Sequence, residues 1–486
     1  MNIPVTAEVI KYFFEKFEEK GFDCLEQEVF RSMMELGRSI MKSVLETMDL
    51  YLMSESDRGS YRNKGLRKTT VKTLLGEVEY SRRIYKSQQE ESFGKYVYLL
   101  DEYLGSDTIG FISGSVSRLI VAGTTQGTFR SAAASISSLT GLSISHQACW
   151  NITQKAGELI RSEYEKDAVK AENHAEEGKI ETPILYEEKD GIYLPLQGKD
   201  RESTEKGKLE MKVGIAYDGV RREKTGKGYR KRLDHKVAYA GFLEAKEFRR
   251  QVNGVIGSVY NTGRIRQWIL NGDGAGWIRG SRRKDGLYVL DEFHRNKALT
   301  EKLNVPPLRE EVRALLYAGE AEKALRILEA SIESTEDEKE RKDRQELYAY
   351  FKQNEDGLTD YRQRGIEIEA TRTEEVYHAN LGSMESNIFT LIGNRMKGKR
   401  MSWTVRGGNN MAALLCLRHT GRMDRLFMRS SEWCPEKEEE AEYPLPLSAS
   451  QVPQTVGKGK LFYKNSDLTD SPSYEFLMKI AHGNML

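Results

Sequence analysis

Three acids in this chain have the type and setting for hard-cation chemistry: Asp190 in KDGIY, Asp273 in GDGAGW and Glu385 in SMES. Asp273 lies in ILNGDGAGWI, Ile269 to Ile278. Gln267, Trp268, Ile269 and Leu270 suit a strand, and Gly272 and Gly274 let the backbone turn sharply on either side of the acid. A carboxylate at the exit of a buried strand sits where α/β sheets place their chemistry. Carboxylates that hold two divalent cations about 3.5–4 Å apart support phosphodiester cleavage, and hard oxygens suit Mg²⁺. Three such acids repel one another, which raises their pKa values until cations reverse the effect. Each acid also has a plain structural reading. Asp190 and Asp273 could be turn residues, and Glu385 could simply favour the start of its helix. Asp218 in AYDGV is a rival for Asp190, placed on a strand where no ligand is expected. His294 in DEFHRNKAL could aim a ring nitrogen at a phosphate or pack as a core histidine, and Asp291 has the same ambiguity. Arg395, further along the helix of Glu385, is a second accessory candidate.

These acids need a sheet to bring them together. From residue 182 the chain reads as α/β. Pro183–Gln197 is a long strand or a tight hairpin centred on Asp190-Gly191, and Leu209–Val220 is a second strand. A basic loop, Arg221–Arg232, precedes a third strand at His235–Ala245. A helix, the strand of Asp273, a short helix and the strand of LYVL complete the order. Three consecutive strands, a helix, a strand, a helix and a strand predict an α/β ribonuclease-H-like catalytic core. Its segments are 176–295 and 376–420, separated by an all-helical insertion at 296–375. Leu315, Leu316, Ala324, Leu325, Leu328 and Ile332 form the insertion's apolar stripe.

A mainly helical N-terminal region precedes the core. Residues 1–58 read as helices whose apolar sets suit packing or self-association. Residues 59–175 read as a DNA-binding region. Its basic hairpin offers Arg62, Lys64, Arg67, Lys68, Arg82 and Arg83 to phosphates. A solvated charged face accounts for these residues equally well. A helix over Phe129–Leu139, the turn at Gly141 and a capped helix from His146 have the layout of a helix-turn-helix. That second helix would show His146, Gln147, Asn151, Gln154 and Lys155 to a groove, and Arg230 and Lys231 of the basic loop would add further contacts.

Composition bounds the rest. Lys and Arg number 75 against 74 Asp and Glu, so net charge says nothing about partners. The four cysteines form no CxxC pair, which argues against a zinc ribbon and a disulfide framework. The amphipathic N-terminus reads as neither a signal peptide nor an anchor. A cytoplasmic, nucleoid-associated protein without a membrane partner is expected. Residues 421–486, with an acidic run and a Gly-Lys stretch, read as a partly flexible tail.

The segments LLDEYLG, GEVEYSRRIY, SHQACWNITQKAG, ILNGDGAGWI, YVLDEFHRNKAL and MESNIF…RMKGKRMSW…GGNNMAALLCLR resemble the ISLre-type transposases of bacterial insertion sequences. These belong to the wider Mutator-like group of DDE transposases. The resemblance spans roughly residues 60 to 420. It implies binding to terminal inverted repeats and target DNA, and strand cleavage and strand transfer dependent on Mg²⁺, with Mn²⁺ able to substitute. It also implies a homo-oligomer on paired ends. By the motif, the triad and the metal ligands fall on Asp190, Asp273 and Glu385, and EEKDG departs from the more acidic run of family members at the first. Two other readings stay open on the residues alone: a DNA-binding regulator with an inactive core, and a metal-dependent structure-specific nuclease.

Overall fold

The computed structural model describes residues 7–55, 60–89, 93–104, 112–174, 178–226, 228–365, 376–377, 381–398, 400–423 and 426. The tail read at 421–486 and the last ten residues of the insertion read at 296–375 lie almost wholly outside them. Two compact units divide the chain. One comprises Met1–Ile120, Arg130–His146 and Phe427–Leu486; the other comprises Val121–Phe129 and Gln147–Leu426. No helix among the described residues is long and apolar enough to cross a membrane.

In the first unit, α1 (Ala7–Lys20) and α2 (Phe22–Glu55) meet at Gly21, whose φ of +79 is open to glycine at low cost. The expected hairpin is present as β1 (Tyr61–Thr73) and β2 (Gly76–Ser87), with Val71 opposite Val78 and a short third strand, β3 (Tyr96–Val97). Helix α3 (Leu99–Tyr103) follows. Leu45, Val71, Val78, Tyr80 and Leu100 form this unit's core. Helices α4 (Gly114–Gln126), α5 (Phe129–Thr140) and α6 (His146–Glu172) come next, and Gly141 after α5 takes φ +67. The sequence places a boundary near 175, whereas the units divide after His146. The physical reason is the buried face of α6: Tyr164 packs edge-on to Tyr239, and Gly157 and Gly254 let Asn410 and Ala168 approach closely.

The second unit is built on a five-stranded sheet. Its strands are β4 (Ile184–Pro195), β5 (Lys208–Tyr217), β8 (Val237–Gly241), β9 (Gln267–Gly272) and β10 (Leu287–Leu290), in the spatial order β10-β9-β4-β5-β8. The central strand β4 runs antiparallel to β5 and parallel to β9. It is one continuous strand, not a hairpin at Asp190-Gly191. The short α7 (Gly198–Glu202) lies between β4 and β5. The basic stretch expected as a loop is a second hairpin, β6 (Val220–Thr225) and β7 (Gly228–Leu233). Cross-strand ion pairs, Arg221 with Asp234 and Arg232 with Glu223, explain how so charged a segment pairs. Helix α8 (Ala245–Gly257) leads to β9, and α9 (Gly276–Arg279) leads to β10.

Four helices follow: α10 (Glu292–Lys302), α11 (Pro306–Tyr317), α12 (Ala321–Glu333) and α13 (Glu338–Gln353). Their apolar stripes share a core with Leu270, Tyr288 and Leu290 of the sheet. The pair β11 (Val376–Tyr377) extends the second hairpin. Helix α14 (Met384–Ile388) then continues through a π-helical turn, Phe389–Gly393, into α15 (Asn394–Met396). The last described helix, α16 (Val405–His419), is capped by Thr404 and buried from Gly407 to Leu417. Ile388, Leu391, Met411 and Leu415 pack on Tyr186, Ile192 and Ile215 of the sheet.

Candidate metal centre

Strand register sets the centre. Glu188 of β4 lies beside Asn271 of β9 in a parallel pair. Two residues further along each chain stand Asp190 and Asp273, so the two carboxylates reach the same level. The last residue of β9 is a glycine, Gly272, where a Cβ would lie 2.5 Å from Ile278 Cγ2. Gly274 takes φ +94, and a Cβ would meet the Asn354 side chain at 2.7 Å. The turn thus holds Asp273 by sterics on both sides. Its Oδ1 accepts from the Ala275 N–H at 2.8 Å, and its carbonyl accepts from the Tyr350 hydroxyl at 2.7 Å. Gly272→Ala is expected to cost about 1–3 kcal/mol by overpacking, read as a lower urea midpoint at unchanged m.

A histidine completes the cluster. Asp291 caps α10, accepting from the His294 N–H at 3.2 Å and meeting His294 Nδ1 at 3.1 Å. This contact orients the ring, and ligand atoms of Asp190, Asp273 and His294 all lie within 4.8 Å of one another. His294 is thus half-buried beside the two aspartates. Asp291 supports it and is itself held by Asn271, whose Nδ2 donates at 2.9 Å. The same amide group donates to Glu188 at 3.1 Å. Glu188 is fully buried and also accepts from Tyr217 and from the N–H groups of Gly382, Ser383 and Met384. It fixes the start of α14 beside the centre.

The electrostatics follow from burial and crowding. Burial, with the charges of Asp273 and Asp291, pushes the Asp190 carboxyl up to about 6, against the Gly191 N–H and His294, which favour the ionised form. Burial likewise raises Glu188 despite its hydrogen bonds. Burial opposes ionisation of Asp291 too, but the bonds from His294 and Asn271 outweigh it and hold its pKa low. The Asp291 contact, with Asp190 and Asp273 adding charge, raises His294 against desolvation.

The donors fit a divalent cation. Asp190 and Asp273 each commit one oxygen to a backbone N–H, which leaves the other for a ligand. Two carboxylates with one imidazole suit Mn²⁺ or Mg²⁺ with water completing the shell. Asn271 Oδ1 is buried nearby without a hydrogen-bond partner in the structure.

Other expected site residues lie elsewhere. Glu385 is exposed in the first turn of α14 and takes no part in the three-residue cluster. Its helix is turned so that Met384, Asn387 and Ile388 face inward. Arg395 is no accessory to the centre. Its Nε donates to the Thr124 carbonyl in the last turn of α4 at 2.6 Å, and its guanidinium lies between the Phe129 and Trp403 rings. Burial pushes its pKa down to about 10, and the partial negative charge at the helix end offsets part of that cost. Asp218 belongs to a different group, holding His235 Nδ1 at 3.1 Å with Asp234 nearby.

The DNA-contact candidates divide. Arg62, Lys64, Arg67 and Lys68 are exposed on β1. Arg82 is buried, forked onto Asp101 at 2.6 and 2.8 Å under the Tyr98 ring, and Arg83 pairs with buried Asp49. Those two guanidiniums hold the first unit's fold and do not face phosphates. His146, Gln147, Asn151 and Lys155 are exposed on α6, as is Trp150, which the sequence reading omits. Gln154 is buried, accepting from Asn410 at 2.9 Å. Arg230 and Lys231 line a groove of about 1530 Å³ between the second hairpin and α14.

Fold and centre define an α/β protein with one aspartate within the central strand, a second just past the end of its parallel neighbour, and an Asp-supported histidine. The family model described as an uncharacterised protein family, UPF0236, matches residues 18–436, and the chain belongs to that family. A UPF0236 protein of Streptococcus gallolyticus is 25% identical over 421 residues, 85% of this chain and 86% of the relative. A relative from Caldanaerobacter subterraneus subsp. tengcongensis, named under eleven designations, is 25% identical over 437 residues, 87% of this chain and 82% of the relative.

Proposed function

We propose that this protein cleaves and joins DNA strands in a divalent-cation-dependent reaction, as a transposase acting on terminal inverted repeats. The observation that carries the reading is the convergence of Asp190, Asp273 and His294 on one point at neighbouring strands. The central strand, antiparallel to one neighbour and parallel to the other, supports a ribonuclease-H-like core. Asp190, Asp273 and His294 would hold Mg²⁺ or Mn²⁺, which when bound supplies Lewis acidity toward a phosphodiester. Asp291 keeps the imidazole in its orientation, and Glu188 anchors α14 against the centre. The resemblance assigns the third carboxylate to Glu385, and its exposure favours His294 for that role. One Caldanaerobacter relative carries eleven designations in one name, which suits a chain that spreads within a genome.

The groove supports a nucleic-acid substrate. Among the described residues its lining holds eight lysines and arginines against two carboxylates. Its volume exceeds the roughly 300–1,000 Å³ of small-molecule pockets, which favours a polymer. Arg230→Glu with Lys231→Glu is expected to weaken duplex binding and to flatten the salt dependence by about 0.9 in log–log slope per lost phosphate contact.

The test is a nicking and strand-transfer assay on labelled duplex from the repeats flanking the reading frame, with Mg²⁺, Mn²⁺ or Ca²⁺. Nicking at the repeat boundary with Mg²⁺ or Mn²⁺ is expected. Tight specific binding without cleavage in either ion would replace the reading with a regulator. Cleavage indifferent to repeat sequence would replace it with a general nuclease.

A further inference from the structure

Helix α2 has two apolar faces, and among the described residues only one is packed into its unit's core. Leu45 is buried there, with Met41, Met48 and Leu52 packed against the same core. The other face carries Phe22, Met33 and Val44 at eleven-residue intervals, and Val29, Ile40 and Tyr51 at the same interval. All six are between 37% and 65% exposed. An eleven-residue repeat is 3.67 residues per turn, close to the 3.6 of a straight α-helix. The stripe therefore runs nearly along the helix axis, for about 44 Å from Phe22 to Tyr51. Leu36 and Thr47 fill the face between, and Gly37 at its margin faces Leu75 of the β1–β2 turn, so the stripe carries no charge from Val29 to Tyr51. A long uncharged stripe of this kind marks an interaction surface.

The spacing identifies what covers it. A long, nearly straight helix with the same repeat matches this stripe, and α2 itself, at 34 residues, is the longest helix among the described residues. The six positions also read the same in both directions about the midpoint between Leu36 and Gly37. Under a two-fold axis there, Phe22 faces Tyr51, Val29 faces Val44 and Met33 faces Ile40. We propose that two copies of this chain dimerise through α2, packed antiparallel on this stripe. Antiparallel packing sets opposite ends of the helix dipoles side by side, and an isologous contact closes at two subunits. The proposal is independent of the metal centre.

Sedimentation equilibrium of the full chain tests it. The wild type is expected at twice the chain mass, with a two-fold fall in Met33→Glu/Ile40→Glu/Val44→Glu at unchanged far-UV circular dichroism. The milder Ile40→Ala/Val44→Ala is expected to raise the dimer dissociation constant at least ten-fold, which guards against misfolding of the triple variant. A monomeric wild type at its highest soluble concentration, or a dimer indifferent to both variants, overturns the proposal. Orientation is read by oxidation in a Cys24→Ser/Cys434→Ser background. Met33→Cys/Ile40→Cys is expected to cross-link between copies and Ile40→Cys alone is not, because antiparallel packing sets the two copies of residue 40 about 10 Å apart along the axis. Cross-linking of the single variant overturns the antiparallel arrangement.

Discussion

Asp273→Asn is expected to lower metal-dependent nicking by on the order of a thousand-fold while duplex binding and far-UV circular dichroism stay unchanged. The carboxamide keeps an oxygen for the Ala275 N–H, so the Gly272–Gly274 turn is retained. What it removes is one of two negative charges at the centre. A Lewis-acid metal contributes several kcal/mol to a phosphoryl transition state, and about 4 kcal/mol corresponds to that rate loss. Single-turnover nicking with Mn²⁺ measures it, beside binding in Ca²⁺. Loss of binding together with nicking would assign Asp273 to structure instead. His294→Ala in the same assay distinguishes the observed cluster from the motif-based one, since it should impair nicking more than Glu385→Gln does.

The second large effect concerns stability. Asp190 has its pKa raised from the ordinary 3.8 to about 6 in the folded chain. A raised carboxyl pKa means that the folded state holds the proton more tightly than the unfolded one. Below pH 3.8 both states are protonated and the site is neutral toward stability. Between pH 3.8 and about 6 stability falls as pH rises, and above that the full cost of the buried charge is present. Partial exposure of the residue discounts that cost to roughly 2 kcal/mol. Asp190→Asn is therefore expected to stabilise the metal-free protein by about that amount at pH 8, by less at pH 5 and not at all at pH 3.5. Urea unfolding at the three pH values measures it. Mn²⁺ at pH 8 should stabilise the wild type and leave the variant nearly unmoved, because the ion offsets the buried negative charge that the variant no longer has. A variant destabilised equally at all three pH values would show that Asp190 serves only packing or hydrogen bonding.

Local chemistry made much of this legible in the sequence. The apolar run before Asp273 and the glycines around it specify a strand that ends in a constrained turn. Thr73, Gly76 and the alternation of Val71, Val78 and Tyr80 specify the first hairpin. The apolar spacing of Leu316, Leu325 and Leu328 specifies helices in the inserted region. Each depends on residues a few positions apart, so propensity and periodicity suffice.

Tertiary structure alone decided the partners. Arg82 and Arg83 look like surface cations until Asp101 and Asp49 are brought to them, and Arg395 until the end of α4 and two rings enclose it. Glu188 and Lys189 look wrong for a central strand; distant donors and acceptors, Asn271, Tyr217 and Ser281 among them, satisfy them there. His294 reached the centre, while Glu385 stayed on an exposed turn, because α10 is placed by contacts such as Asn271 with Asp291 and Arg295 with Leu358, and the facing of α14 by that of Glu188 with Gly382, 194 residues away in sequence. Charge type is written in the sequence. Whether a charge is a ligand, a clamp or a solvated surface depends on what the fold brings within hydrogen-bond distance of it.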